Sequence, residues 1–137
     1  MTKLVLIRGL PGSGKSTMAK ALCYSPDWMH LEADMFWMDN GEYKFDAGRL
    51  GEAHAWCQDR TRMYLSENID VVVSNTFTTV KELRPYFGIA QEFGIVPNVF
   101  VAQNDFGNTH NVPAETLAKM RARFAWDISE LFQPTDK

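Results

Sequence analysis

Leu4-Val5-Leu6-Ile7-Arg8-Gly9-Leu10-Pro11-Gly12-Ser13-Gly14-Lys15-Ser16-Thr17 decides how the rest of the chain is read. Leu4 to Ile7 is a continuous apolar run, the pattern of a strand buried on both faces. Gly9 to Thr17 fits G-x-x-x-x-G-K-[ST], placed directly after the expected strand and before an expected helix. That context marks a phosphate-binding loop. The glycines let backbone N–H groups turn inward and approach phosphate without a Cβ clash. The helix beginning near Lys15 adds the positive end of its dipole. Lys15 is expected to reach the β- and γ-phosphates of ATP and to act in catalysis. Ser16 is expected to place its hydroxyl on Mg²⁺, with Thr17 on the α-phosphate side. The expected nucleotide-binding set is therefore Gly9, Leu10, Pro11, Gly12, Ser13, Gly14, Lys15, Ser16 and Thr17, with ATP and Mg²⁺ as cofactors.

Three further short apolar runs follow, at Met29–Glu32, Val71–Val73 and Val96–Val101. Longer segments of helical character separate them. Lys15–Cys23 follows the first run. Ala47–Asn68 follows the second, with Asp46 as its N-cap. Thr79–Phe93 follows the third, and Thr79-x-x-Glu82 has the form of a capping box. Pro85 predicts that this segment breaks into two short helical pieces, and Gly94 predicts its end. A last helix is expected from Pro113, with Leu117, Met120, Phe124, Ile128 and Leu131 as a core stripe at 3.6-residue spacing. The alternation of strand and helix predicts an α/β, three-layer fold of the P-loop NTPase type, a small four-stranded parallel sheet flanked by helices.

The 137 residues predict a single domain over 1–137. Apolar residues make up 45% and charged residues 23%, a globular mixture that excludes a disordered tail or a collagen-like repeat. No apolar run nears the ~20 residues of a membrane helix, so no membrane partner is expected. The first residues are too short and too soon interrupted by Arg8 to read as a signal peptide. Cys23 and Cys57 have no metal or redox spacing, and a reducing cytoplasm is the expected setting. Net charge is −3, which disfavours extensive gripping of duplex nucleic acid but allows one strand end to be held. The sequence leaves the oligomeric state open.

Functional groups in open α/β sheets gather just past the carboxyl ends of strands. Asp34 lies there, in Glu32-Ala33-Asp34-Met35-Phe36. It is a candidate catalytic base and acceptor-binding group, or else a loop or N-cap aspartate. Glu32 is the rival carboxylate, expected to point the same way if the strand continues. Phe36, Trp37, Met38, Tyr43 and Phe45 surround the turn signal Asp39-Asn40-Gly41. Trp37 is the expected stacking platform for an acceptor base, and Phe45 is expected to pack. On the second helix, His54 reads as structural, while Arg49, Arg60 and Arg62 could hold an acceptor phosphate.

These motifs fall in a familiar order. The phosphate loop, Asp34-Met35-Phe36, Gly41-x-Tyr43-x-Phe45-Asp46, Ala53-His54-x-x-Cys57, Val71 to Thr76 and His110-x-Val112-Pro113 together resemble the polynucleotide 5′-kinase family of P-loop kinases and its AAA-labelled relatives. The resemblance runs from Lys3 to Phe124. It implies transfer of the ATP γ-phosphate to a 5′-hydroxyl of a nucleic acid, with Asp34 as general base.

Two departures qualify that implication. The family usually carries an aspartate where Ser74 and Asn75 stand, and arginines in the stretch matching Gln103–Asn111, which has none. A missing arginine at such a site costs ~10³–10⁵ in rate. Arg123 is the replacement the resemblance favours. Arg121 is the one helix geometry favours, at the edge of the stripe, with Arg123 pointing away. His110 is a further phosphate donor candidate. Three readings follow: a 5′-hydroxyl polynucleotide kinase acting on a single-stranded end, a nucleoside or other small-hydroxyl kinase, and a nucleotide-binding module or slow NTPase.

Overall fold

The computed structural model describes residues 2–104 and 112–133. His110 and the stretch Asp105–Asn111 lie outside the described residues. Four strands, β1 (Leu4–Arg8), β2 (Trp28–Leu31), β5 (Asp70–Asn75) and β6 (Asn98–Val101), form a parallel sheet in the order β2-β5-β1-β6. The helices are α1 (Lys15–Leu22), α2 (Leu50–Ser66), α3 (Val80–Glu92) and α4 (Ala114–Arg123). This is the expected α/β layering. Leu4 and Leu6 pack with α2 and α3 residues such as Cys57, Leu65, Leu83 and Ile89. Val5 and Ile7 pack with Ala19, Met18 and Leu22 of α1 on the other face. Both faces are covered, which is why β1 reads as unbroken apolar sequence rather than alternation.

The sheet register places the site. Ile7 pairs with Ser74 and Arg8 with Asn75, while Leu31 of β2 pairs with Val73. The carboxyl ends of β1, β2 and β5 therefore arrive together, and the chain leaves each of them at the same edge. Between β2 and α2, a 3₁₀ turn (Ala33–Trp37) leads into a hairpin of β3 (Met38–Asp39) and β4 (Glu42–Tyr43). Asn40 (φ 52) and Gly41 (φ 83) form its turn, the paired positive φ values that Asn-Gly supplies in a type I′ hairpin.

Asp46 accepts from the Gly48 N–H at 3.0 Å and caps a 3₁₀ turn that runs into α2. Thr79 caps α3 by accepting from the Glu82 N–H, and Glu82 reaches back one residue further than a capping box requires, to the Thr78 N–H. Gly94 (φ 68) ends the helix, with the Ile95 N–H bonded to the Ala90 carbonyl.

Two expectations fail. Pro85 does not split α3, which is continuous. The proline removes one bond to the Lys81 carbonyl, and Lys81 is exposed, so water can take that carbonyl. The stripe after α4 also breaks. The helix ends at Arg123 and Phe124 is extended (φ −63, ψ 119), because Ala125 N–H turns to the Thr78 carbonyl at 2.7 Å. Phe124 is buried, but Leu117 and Met120 are only half-buried.

Candidate active site

The phosphate loop joins β1 to α1. Gly12 (φ 82) and Gly14 (φ 94) take the left-handed backbone that only glycine adopts freely. Gly9 is required by space: a Cβ there would meet Ser13 Oγ at 2.4 Å and the Ala102 carbonyl at 2.7 Å. The Leu10 carbonyl accepts from the Ser13 N–H and from Lys15 Nζ, both at 3.1 Å. Burial lowers the Lys15 pKa, against the pull of Glu32 and then Asp34. Ser13 Oγ is buried without a partner among the described residues, a hydroxyl aimed into the loop.

The loop opens onto a cleft of about 760 Å³ whose walls include Lys15, Ser16, Glu32, Asp34 and Arg123. Pro11 also lines it, whereas Thr17 is exposed in the first turn of α1 and does not. Asp34 stands in the 3₁₀ turn after β2, where Tyr43 O–H donates to its Oδ1 at 3.2 Å. Because the backbone turns at Ala33, the two-residue alternation linking Glu32 to Asp34 does not apply, yet both reach the cleft.

Glu32 takes a position that sequence reasoning missed. Its Oε2 accepts from the Ser16 hydroxyl and from Ser74 Oγ at 2.9 Å. His30 Nε2 lies 2.6 Å from Ser74 Oγ and 3.4 Å from Glu32 Oε2. Burial alone would raise the Glu32 carboxyl, but hydrogen bonds involving His30, Ser16 and Ser74 outweigh it and hold the pKa at about 2. The missed signal was the strand pairing: nothing local to Glu32 says that Ser16 and Ser74 will flank it.

Arg123, not Arg121, reaches the cleft. Thr116, Met120 and Arg123 share one face of α4 at four- and three-residue intervals and line the wall together. Arg121 is exposed. The contrary expectation counted from Leu117, which does not line the cleft. Arg123 Nε donates to Thr78 Oγ1 at 3.0 Å.

Trp37 is a second correction. It contributes to the cleft wall but is 3% exposed, within the core, in edge contacts with Phe36 and Phe45. A base cannot stack on a ring with no free face. Tyr43 and Phe45 are the exposed aromatics on that wall, each more than half accessible. Arg49 and Arg62 are engaged by Glu52 and Glu92, Arg60 lies over Trp56, and none of the three lines the cleft. His54 does line it.

The donor set fits Mg²⁺ in the manner of a phosphate loop. Among the described residues no group of three or more His, Cys, Asp or Glu could cage a metal. Mg²⁺ characteristically keeps several waters and takes phosphate oxygens with few protein ligands, and the Ser16 hydroxyl with a carboxylate beside it suits that coordination.

Comparison with known proteins gives consistent matches. The family described as AAA domain matches residues 4–105. NEDD4-binding protein 2 of Homo sapiens is 41% identical over 91 residues, which are 65% of this chain and 5% of that protein. An uncharacterized protein of Pasteurella multocida is 33% identical over 134 residues, 88% of this chain and 75% of that one. The Pnkp1/Rnl/Hen1 complex contains a similar fold, with TM-score 0.62 and 22% identity over 86% of this chain and 38% of that one. A gluconokinase from Sinorhizobium meliloti 1021 has TM-score 0.57 and 13% identity, over 95% and 86% respectively. At these identities the solved structures share the fold alone. The chain thus spans one-twentieth of the human relative and well under half of the Pnkp1 complex chain.

Proposed function

Because this chain belongs to the AAA domain family as a P-loop kinase-like domain, we propose that it transfers the γ-phosphate of ATP to a hydroxyl acceptor, as polynucleotide 5′-kinases do. One observation carries the reading: Lys15, Ser16, Asp34 and Arg123 line a single cleft. These are a phosphate-loop cation, a metal-type hydroxyl, a carboxylate and an arginine, the parts that phosphoryl transfer needs.

In this reading the loop N–H groups and Lys15 hold the β- and γ-phosphates. Mg²⁺, when bound, neutralises charge on those oxygens. Asp34 accepts the proton of the acceptor hydroxyl as its oxygen attacks the γ-phosphorus, and the bond to the β–γ bridging oxygen breaks to release ADP. Arg123 faces the transferring phosphoryl and offsets its charge. Glu32 is ill suited to act as the base, because its Oε2 already accepts from Ser16 and Ser74 and its low pKa disfavours taking a proton.

Tyr43 and Phe45 support a nucleic acid end as acceptor, since exposed rings beside the base can stack on a nucleobase. A different observation favours a nucleoside or other small hydroxyl compound. Among the described residues lining the cleft, Arg123 is the one arginine, so a polynucleotide phosphate finds no second guanidinium there.

Transfer from γ-labelled ATP to a panel of 5′-hydroxyl oligonucleotides, nucleosides and small polyols, with free phosphate followed in parallel, tests the proposal. A labelled acceptor supports it and identifies the class. Free phosphate alone indicates a slow NTPase, and neither product indicates a binding module. Both of those outcomes contradict transfer.

A further inference from the structure

The end of β5 lies beside the phosphate loop, where a carboxylate ordinarily supports the Mg²⁺ shell, and it carries Ser74 and Asn75 instead. Asn75 is already engaged. Its Oδ1 accepts from the Ala33 N–H at 2.9 Å, and its Nδ2 faces Cys57 Sγ at 4.0 Å. It fixes the exit from β2 and adds no charge. Ser74 is 2% exposed and gives its proton to Glu32.

Glu32 reaches the same point from the neighbouring strand. Leu31 is in register with Val73, so the next residue of each strand, Glu32 and Ser74, stand side by side. The same carboxylate oxygen contacts the hydroxyl of Ser16. His30 closes the arrangement, its Nε2 2.6 Å from Ser74 Oγ. A carboxylate held by two serines and a histidine, touching the phosphate-loop serine, is a positioned anion rather than a solvated one.

We propose that Glu32 is the carboxylate of the Mg²⁺ shell in this protein, supplied by β2 in place of the end of β5, with Ser74 and His30 as its positioning residues. Ser16 offers the metal its hydroxyl oxygen, and Glu32 accepts hydrogen bonds from metal-bound water. The lowered pKa agrees, since an ionised, weakly basic group suits this task better than proton abstraction. The inference rests on the nucleotide-binding reading of the loop and not on which acceptor is used.

The test compares affinity for a fluorescent ATP analogue with Mg²⁺ and with EDTA, and follows Mn²⁺ bound with ADP by electron paramagnetic resonance. E32Q should bind the metal-free nucleotide at least as tightly as the wild type, since a negative charge beside the phosphates is removed, yet lose about 10–100-fold of Mn²⁺ affinity and of the metal-dependent gain. E32Q/S74D, which returns a carboxylate to the same point from β5, should recover most of that gain. An unchanged gain in E32Q overturns the inference while leaving nucleotide binding intact. Absence of nucleotide binding by the wild type overturns the loop reading and this inference with it. Should E32Q lose its fold by circular dichroism, E32D decides. It withdraws the charge by one methylene and should lower the gain severalfold, and an unchanged gain there overturns the inference as well.

Discussion

Arg123 Nε donates to the Thr78 hydroxyl at 3.0 Å, which ties the last residue of α4 to the loop that follows β5. Thr78 is fully buried and also gives its hydroxyl to Glu82 at 2.9 Å. A guanidinium on a helix end is thereby aimed into the cleft without a lid arginine in the sequence from Gln103 to Asn111.

If Arg123 offsets charge on the transferring phosphoryl, R123A should lower kcat by about 10³-fold or more, while R121A stays within about twofold. T78V, which removes the hydroxyl acceptor, should give an intermediate loss with ATP affinity kept. Equal effects of R121A and R123A in the same transfer assay would remove Arg123 from the site.

Lys15 is the lysine of the loop, and K15A should weaken ATP by about 10–100-fold, from the loss of a charge-assisted hydrogen bond. AMP should be affected far less. Calorimetry with both nucleotides checks this, and equal losses would mean that Lys15 does not meet the β/γ-phosphates.

Arg8 is buried at the end of β1, donating Nε and Nη2 to the Phe77 carbonyl at 3.0 and 2.8 Å and lying 4.1 Å over the Phe124 ring. Phe77 has φ 45, a strained value for an aromatic residue. R8M keeps much of the side-chain volume and leaves that carbonyl unpaired, so it should cost about 1.5–3 kcal/mol in urea unfolding. A cost near zero would mean that water replaces the arginine.

The four sheet strands, the phosphate loop and the helix caps were legible because each is a local pattern: four apolar residues before a glycine loop, Thr79 three residues before Glu82. Asn40-Gly41 was legible as a turn, but not the short hairpin it closes. The site was legible only in part. Glu32 meets Ser16 and Ser74 through parallel pairing of strands more than forty residues apart in sequence, and no window along the chain contains all three. Arg123 was misjudged because the count along α4 started from Leu117, whereas the cleft takes the face of Thr116 and Met120, and Arg123 lies one turn beyond Met120 on that face. Trp37 looks like a surface platform in an aromatic run, and its burial depends on how Phe36 and Phe45 fold over it.

The pH dependence of stability tests the Glu32 environment separately from function. Its carboxyl is held at about 2 against an ordinary 4.5. The folded-state pKa is thus depressed, so the stabilisation is fully present above about 4.5 and is lost as the pH falls toward about 2. E32Q should flatten that acid limb in urea titrations between those limits. An identical limb in wild type and E32Q would contradict the three-way hydrogen bonding around the carboxylate.

The most direct measurement for phosphotransfer is single-turnover kinetics of D34N with labelled ATP and a competent acceptor, both saturating. The Tyr43 hydroxyl can still donate to an amide oxygen at that position, so fold and ATP affinity should persist. An amide cannot take the acceptor proton, so transfer should fall by about a hundredfold or more. Wild-type kcat in D34N would contradict the assignment of Asp34 as the base and, with it, the mechanism built on this cleft.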